Sequence, residues 1–174
     1  MRCRPATDAP VELGPDGTAT RPAPQRPMVI GSAVRELAFA REQVFDVAAD
    51  IERYPEFLPW WISARIASRC GSSWRVEQTL GLGPLRLPFT STALVQRPER
   101  IDVRCVDAPF RRYELALRFD APSPTACRLS IACTIEFDSP LLQAIADRLV
   151  PSSTDRIVSA FAQRTRRLYG LSHA

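Results

Sequence analysis

The chain contains no lysine and only one histidine, His173, next to the last residue. The single, terminal histidine removes Ser–His–Asp triads, His-ligated metals and histidine general bases from consideration. All 23 basic side chains are therefore arginine, and with 19 acids they give a net charge of +4. They are scattered, except on the last predicted helix, and are not clustered with exposed aromatics as a dedicated nucleic-acid surface requires. No DNA partner is expected. No apolar run approaches the ~20 residues that span a bilayer. The N-terminus lacks the uncharged apolar stretch of a signal peptide, so a cytoplasmic location is expected, with at most peripheral contact at the inner membrane. The five cysteines, Cys3, Cys70, Cys105, Cys127 and Cys133, have no metal-ligand spacing and read as reduced, mostly buried thiols. Neither a metal nor a cofactor is expected.

At 174 residues with 45% hydrophobic and 24% charged side chains, the chain has room for one domain with a full core. Residues 1–27 hold Pro5, Pro10, Pro15, Pro22, Pro24 and Pro27 and almost no large apolar residue, which predicts a disordered extension. The domain is expected over 28–170, with 171–174 as a tail. Within it, apolar residues alternate over Met28–Ala38, Trp61–Cys70, Ser73–Leu80, Leu85–Val95, Ile101–Val106, Arg111–Phe119 and Cys127–Phe137, which predicts seven strands. Gly71-Ser72, Gly81-Leu82-Gly83-Pro84, Arg97-Pro98, Ala108-Pro109 and the Pro122–Pro124 loop mark turns. A short helix fits Arg41–Ala49, with Val44, Phe45 and Ala48 on one face. A final helix begins after Ser139 as N-cap and Pro140 at the first helical position. Leu142, Ile145, Leu149, Ile157, Phe161 and Leu168 recur along it, and Pro151 is expected to kink or break it. The order β–α–β6–α implies an α+β helix-grip fold: a curved antiparallel sheet wrapped around a long C-terminal helix.

The segment Asp50–Trp61 follows the short helix and packs Tyr54, Phe57, Trp60 and Trp61 among Pro55 and Pro59. A proline disfavours the α region for the residue before it, so Tyr54 and Leu58 are expected to be extended. Such a stiff aromatic loop suits the mouth of an apolar pocket.

Strand periodicity separates the two faces of the sheet. The inward sets are Trp74, Val76, Gln78 and Leu80; then Leu85, Leu87, Phe89, Ser91, Ala93 and Val95. They continue with Tyr113, Leu115, Leu117 and Phe119, and with Cys127, Leu129, Ile131, Cys133, Ile135 and Phe137. Acid–base catalysis needs a titratable group within reach of substrate. Only Tyr113, the thiols and Arg111 at a strand start come near that description. A greasy cavity with a few polar handles suits a lipophilic ligand, although periodicity does not distinguish a lined cavity from a filled core.

The run "VFDVAADIERYPEFLPWW" resembles the opening signature of the coenzyme Q-binding START-like family. That family also includes the RatA-type toxins and lies within the wider polyketide cyclase/dehydrase (SRPBCC) superfamily. The similarity continues through "LGLGPLRLPFTSTALVQRPERIDVRC", "DAPFRRYELALRF", "CRLSIACTIEFDSPLLQAIADRL" and "IVSAFAQRTRRLYG", covering about residues 28–170 in the same order. Asp50, Tyr54, Pro55, Phe57, Pro59 and Phe161 match the signature positions. Leu117 stands where the family often has tryptophan, and Trp61 where it commonly has cysteine. The resemblance implies a hydrophobic tunnel for an isoprenoid quinone or similar lipid, held without catalysis in support of respiration.

On that basis the expected ligand-facing residues are Tyr54, Phe57, Leu58, Trp60 and Trp61 at the gate. Phe89, Tyr113, Leu115 and Phe119 are expected on the sheet wall, and Leu142, Ile145, Leu149 and Phe161 on the helix wall. The expected partner is a hydrophobic small molecule, with transient membrane contact. Two alternatives remain open. One is a RatA-like ribosome contact through Arg156, Arg164, Arg166 and Arg167. The other is a polyketide aromatase/cyclase using Tyr113, Gln78 or Arg111.

Overall fold

A computed structural model describes residues 29–105 and 107–170. The expected extension over 1–27 and the tail over 171–174 lie outside the described residues. Seven strands form one sheet: β1 (Val29–Leu37), β2 (Trp61–Cys70), β3 (Ser73–Leu82), β4 (Leu85–Gln96), β5 (Arg100–Cys105), β6 (Phe110–Ser123) and β7 (Ala126–Phe137). The helices are α1 (Arg41–Ala49), α2 (Tyr54–Phe57) and α3 (Pro140–Tyr169), with a 3₁₀ turn at Ile51–Arg53. All neighbouring strands are antiparallel, in the order β1-β7-β6-β5-β4-β3-β2. From β2 onward this is a meander of adjacent hairpins; only β1 reaches across to pair with the last strand, Leu37 facing Cys127. The α+β helix-grip arrangement is present, with α3 packed against β1, β7 and α1.

Short turns set the register. Gly71, at φ 57°, turns β2 into β3, and Gly83, at φ 61°, turns β3 into β4; both take the left-handed conformation that glycine adopts without steric cost. Ser139 caps α3 by accepting from the Leu142 N–H at 3.4 Å, with Pro140 in the first turn, where its missing N–H has no intrahelical partner to lose. At α1, Gln43 reaches back to accept from the Ala40 N–H at 3.1 Å.

Two local expectations are corrected. Tyr54 is not extended: it has φ −53° and ψ −40° and opens α2. Its hydroxyl donates to the Ala48 carbonyl, and its ring packs on Phe57, Trp61 and Phe161 at 5.7–5.9 Å, so packing overrides the pre-proline preference. Leu58, at φ −87° and ψ 127°, is extended as expected. Second, of the kink or break expected at Pro151, the break does not occur: α3 runs as one helix from Pro140 to Tyr169. The carbonyl of Asp147 forgoes its i+4 donor there, and the packing of α3 against β1 and β7 offsets that loss.

The inner face follows the alternation along β6 and β7, where Tyr113, Leu115, Leu117, Phe119, Cys127, Leu129, Ile131, Cys133, Ile135 and Phe137 are all buried. At the ends of β3 and β4 it departs. Leu85 lies at the hairpin tip and is exposed, Val95 is half-buried, and Trp74 is half-buried beneath the Arg69 guanidinium at 4.4 Å.

Candidate functional site

The concave sheet and α3 enclose two different interiors. At the α1 end the space is filled: Phe45 packs edge-on to Phe119 at 5.1 Å, and Leu129, Val158 and Ala162 are fully buried beside Phe161. At the other end, under the first half of α3, a cavity of about 70 Å³ remains. Its floor is Phe110, Tyr113, Leu115, Cys133, Ile135 and Phe137 from β6 and β7. Leu80, Leu82 and Leu87 of the β3–β4 hairpin wall one side, and Ala146, Leu149, Ser153, Thr154 and Ile157 of α3 form the roof. Trp60 and Trp61 close the remaining side. Three lining residues, Trp60, Leu82 and Leu149, are only half-buried and mark the open end.

Irregularities in the sheet aim several of these side chains. The register shifts between Phe110 and Arg112, and again between Trp61 and Ser63, so Phe110 and Trp61 both face inward. Phe110, Tyr113 and Phe137 then form a continuous aromatic floor with Phe89, at centroid distances of 4.8–5.4 Å. Trp61 Nε1 donates to Gln78 Oε1 at 2.8 Å, and Gln78 Nε2 donates to Ser91 Oγ at 2.7 Å. This buried relay gives the Trp61 indole N–H and both ends of the Gln78 amide a partner and fixes the indole. A smaller void, lined by Ile51, Tyr54, Trp61, Val76, Gln78, Ala93, Val103, Tyr113 and Leu115, lies behind it.

Trp60 is the one non-glycine residue with positive φ among the described residues, at 70°. That backbone conformation disfavours a bulky side chain. It is held by the Gly81 N–H donating to the Trp60 carbonyl at 2.8 Å and by the Arg156 guanidinium, 5.0 Å from the indole ring.

Of the thirteen expected ligand-facing residues, Trp60, Trp61, Tyr113, Leu115 and Leu149 line this cavity. The other eight do not. Tyr54, Phe57 and Phe161 form an aromatic knot that anchors α2 to α3, and Phe57 and Leu58 border a separate, shallow outer groove. Phe119 belongs to the filled end, and Phe89 supports the floor from behind its lining side chains. Leu142 and Ile145 lie half-buried on flanks of α3 that miss the cavity. Asp50 sits at the cap position of the 3₁₀ turn but makes no side-chain capping bond; its carbonyl accepts from the Arg53 N–H at 3.1 Å.

The lining is chemically quiet. Burial pushes the Cys133 thiol up to about 12 and raises the Tyr113 hydroxyl well above the ordinary tyrosine range. Both are protonated at neutral pH and serve as neither base nor nucleophile. Arg111 is on the outer surface, paired with Asp138 at 3.2 Å, so it does not reach the cavity. Among the described residues no helix is long and apolar enough to cross a membrane.

Residues 37–162 match the family model described as polyketide cyclase/dehydrase and lipid transport. The chain is 30% identical over 134 residues to the ribosome association toxin RatA of Pseudomonas aeruginosa, covering 77% of this chain and 93% of that protein. It is 27% identical over 143 residues to the mitochondrial coenzyme Q-binding protein COQ10 homolog B of Xenopus laevis, covering 80% of this chain and 59% of that protein. Its fold matches a START superfamily protein from Mycobacterium smegmatis with a TM-score of 0.70 at 17% identity, covering 80% of this chain and 98% of the other.

Proposed function

The chain belongs to the polyketide cyclase/dehydrase and lipid transport family, and on that premise we propose that it binds an apolar small molecule, of the isoprenoid quinone or lipid type, beneath α3 without transforming it. The observation that carries this reading is the cavity itself: an interior space left unfilled at one end of the grip, lined almost wholly by aliphatic and aromatic side chains. With Tyr113 and Cys133 both held protonated, no lining side chain is poised for acid–base or nucleophilic chemistry. A quinone carrier of this kind would support respiration through transient contact with the membrane that holds its cargo.

The space is smaller than the roughly 150 Å³ of an engineered cavity that admits benzene, at about 70 Å³. Uptake therefore needs side chains to give way, and half-buried Trp60, Leu82 and Leu149 are placed to do so. Purified protein extracted with organic solvent and analysed by mass spectrometry should release a stoichiometric isoprenoid or other lipid. Absence of any such molecule, together with no binding of added short-chain ubiquinone, refutes the reading.

A second reading, ribosome association, draws on the 30% identity to the Pseudomonas protein. Of the four arginines expected on that surface, Arg156 stacks on Trp60 and Arg164 is paired with Glu56 at 2.9 Å. Exposed Arg166 and Arg167 are left for phosphate contacts. Co-sedimentation with ribosomes at low salt that disappears at 0.5 M salt would support it; no co-sedimentation at low salt rejects it.

A further inference from the structure

The polar side of this same cavity carries the apolar-ligand reading one step further. Around the cavity, nearly every polar atom already has a partner: Trp61 and Ser91 bond to Gln78, Tyr54 to the Ala48 carbonyl, Ser153 to the Leu149 carbonyl, and Thr154 is engaged as well. The Tyr113 hydroxyl stands apart. Tyr113 is 3% exposed and lines both the cavity and the smaller void behind Trp61, yet among the described residues its hydroxyl makes no hydrogen bond. Among the described residues the one fully buried side-chain nitrogen or oxygen without a partner is Arg41 Nε, so the unbonded Tyr113 hydroxyl keeps surface on this interior space. A donor there that a bound ligand covered without bonding would cost its full desolvation. Its ring is fixed between Phe89 at 5.4 Å and Phe110 at 5.1 Å, which limits where the hydroxyl can move.

We propose that Tyr113 is the polar anchor of the cavity, its hydroxyl donating to a carbonyl oxygen borne on a planar ring that packs against Phe110 and Phe137, with any apolar tail leaving between Trp60, Leu82 and Leu149. The ligand class is thus a ring ketone or quinone that enters head first. A ligand with no acceptor oxygen would leave the hydroxyl unmade, and a charged head would find no counter-ion among the lining residues.

The inference rests on the apolar-ligand reading, and a matched pair of probes separates the two. Acetophenone carries a carbonyl where α-methylstyrene carries a methylene of the same shape. Dissociation constants for both are measured by ¹⁵N-edited NMR titration on the full chain and on Tyr113→Phe, with unfolding midpoints confirming that the variant folds. One neutral hydrogen bond corresponds to about a 3- to 10-fold loss for acetophenone in the variant, with α-methylstyrene changed by less than about 1.5-fold. If both probes bind and the substitution affects them equally, the anchor is overturned while the apolar cavity stands. If neither probe binds the wild type, the cavity reading fails and the anchor with it. Should Tyr113→Phe fail to fold, the wild type decides alone: the carbonyl stretch of bound acetophenone must lie below its frequency in an apolar solvent, and an unshifted band overturns the anchor.

Discussion

Ala146 offers the sharpest contrast between a cavity kept for a ligand and a gap left by imperfect packing. It is 2% exposed on α3 and its methyl group forms part of the cavity roof. Ala146→Leu adds three carbons pointing into about 70 Å³ of empty space. Cavity volume in a core costs on the order of 24 cal/mol per Å³, so filling this one completely would return about 1.7 kcal/mol. Fixing a leucine rotamer costs about 0.5–1 kcal/mol of that. The net expectation is a protein more stable by roughly 1 kcal/mol, with a melting temperature about 2–4 °C higher. The same leucine occupies the ligand's place, so affinity for short-chain ubiquinone should fall by at least tenfold. Stability and binding thus move in opposite directions, as they do where a site is held open at the expense of packing.

Ala162 supplies the control. It lies on the same helix, fully buried at the filled end beside Phe161 and Val158. Ala162→Leu has no space to enter and should destabilise by about 1–3 kcal/mol through overpacking. Urea unfolding of the two variants gives the stabilities, and fluorescence or NMR titration gives the affinities. The reasoning is refuted if Ala146→Leu costs more than about 1 kcal/mol, since the space would then be unusable, or if it leaves ligand affinity unchanged.

Other perturbations test neighbouring parts of the argument. Gln78→Leu leaves the Trp61 indole N–H and the Ser91 hydroxyl without partners and should cost about 1–3 kcal/mol in urea unfolding; a cost below about 0.5 kcal/mol would mean the relay is not structural. Iodoacetamide at pH 8 should modify exposed Cys70 and spare buried Cys127 and Cys133, whose thiols burial pushes up to about 11 and about 12. Peptide mass spectrometry showing equal labelling would contradict that placement. The same two shifts set an alkaline limit. Folded thiols hold their protons more tightly than unfolded ones of ordinary value 9.0, so their contribution is intact below pH 9 and is lost as pH rises through about 11 and then about 12. A melting temperature that stays flat from pH 8.5 to 11 would show the burial to be wrong.

Most of the frame was legible because it rests on local rules. Period-two alternation located all seven strands to within a few residues, and Ser139-Pro140 announced the start of α3. The floor of the cavity was half legible for the same reason: Tyr113 and Leu115 face inward by alternation alone. Phe110 was not, because beside Pro109 it reads as part of a turn, and only a register shift against β7 swings it inward. Nor were Ser153 and Thr154 on the roof. As polar residues they fall outside an apolar stripe, yet on a helix such hydroxyls can bond back to the preceding turn, as Ser153 does to the Leu149 carbonyl, and present a less polar surface to the cavity.

What no local rule conveys is which end of the grip is filled. Phe119 and Phe161 carry the same signals as Tyr113 and Leu149, and the difference lies in what crosses them. At their end, Phe45 from α1 and Tyr54 from α2 arrive and fill the volume. Tyr54 takes a helical conformation against the preference imposed by Pro55, which places its ring among Phe57, Trp61 and Phe161. The aromatic segment therefore acts in two ways: its first half seals one end of the interior as core. Its last two residues, Trp60 in a conformation unfavourable for its side chain and Trp61 tied to Gln78, border the space that remains. That division follows from the register shift after Trp61 and from the reach of α1. The half of the segment that borders the cavity is accordingly the one whose backbone departs from regular structure.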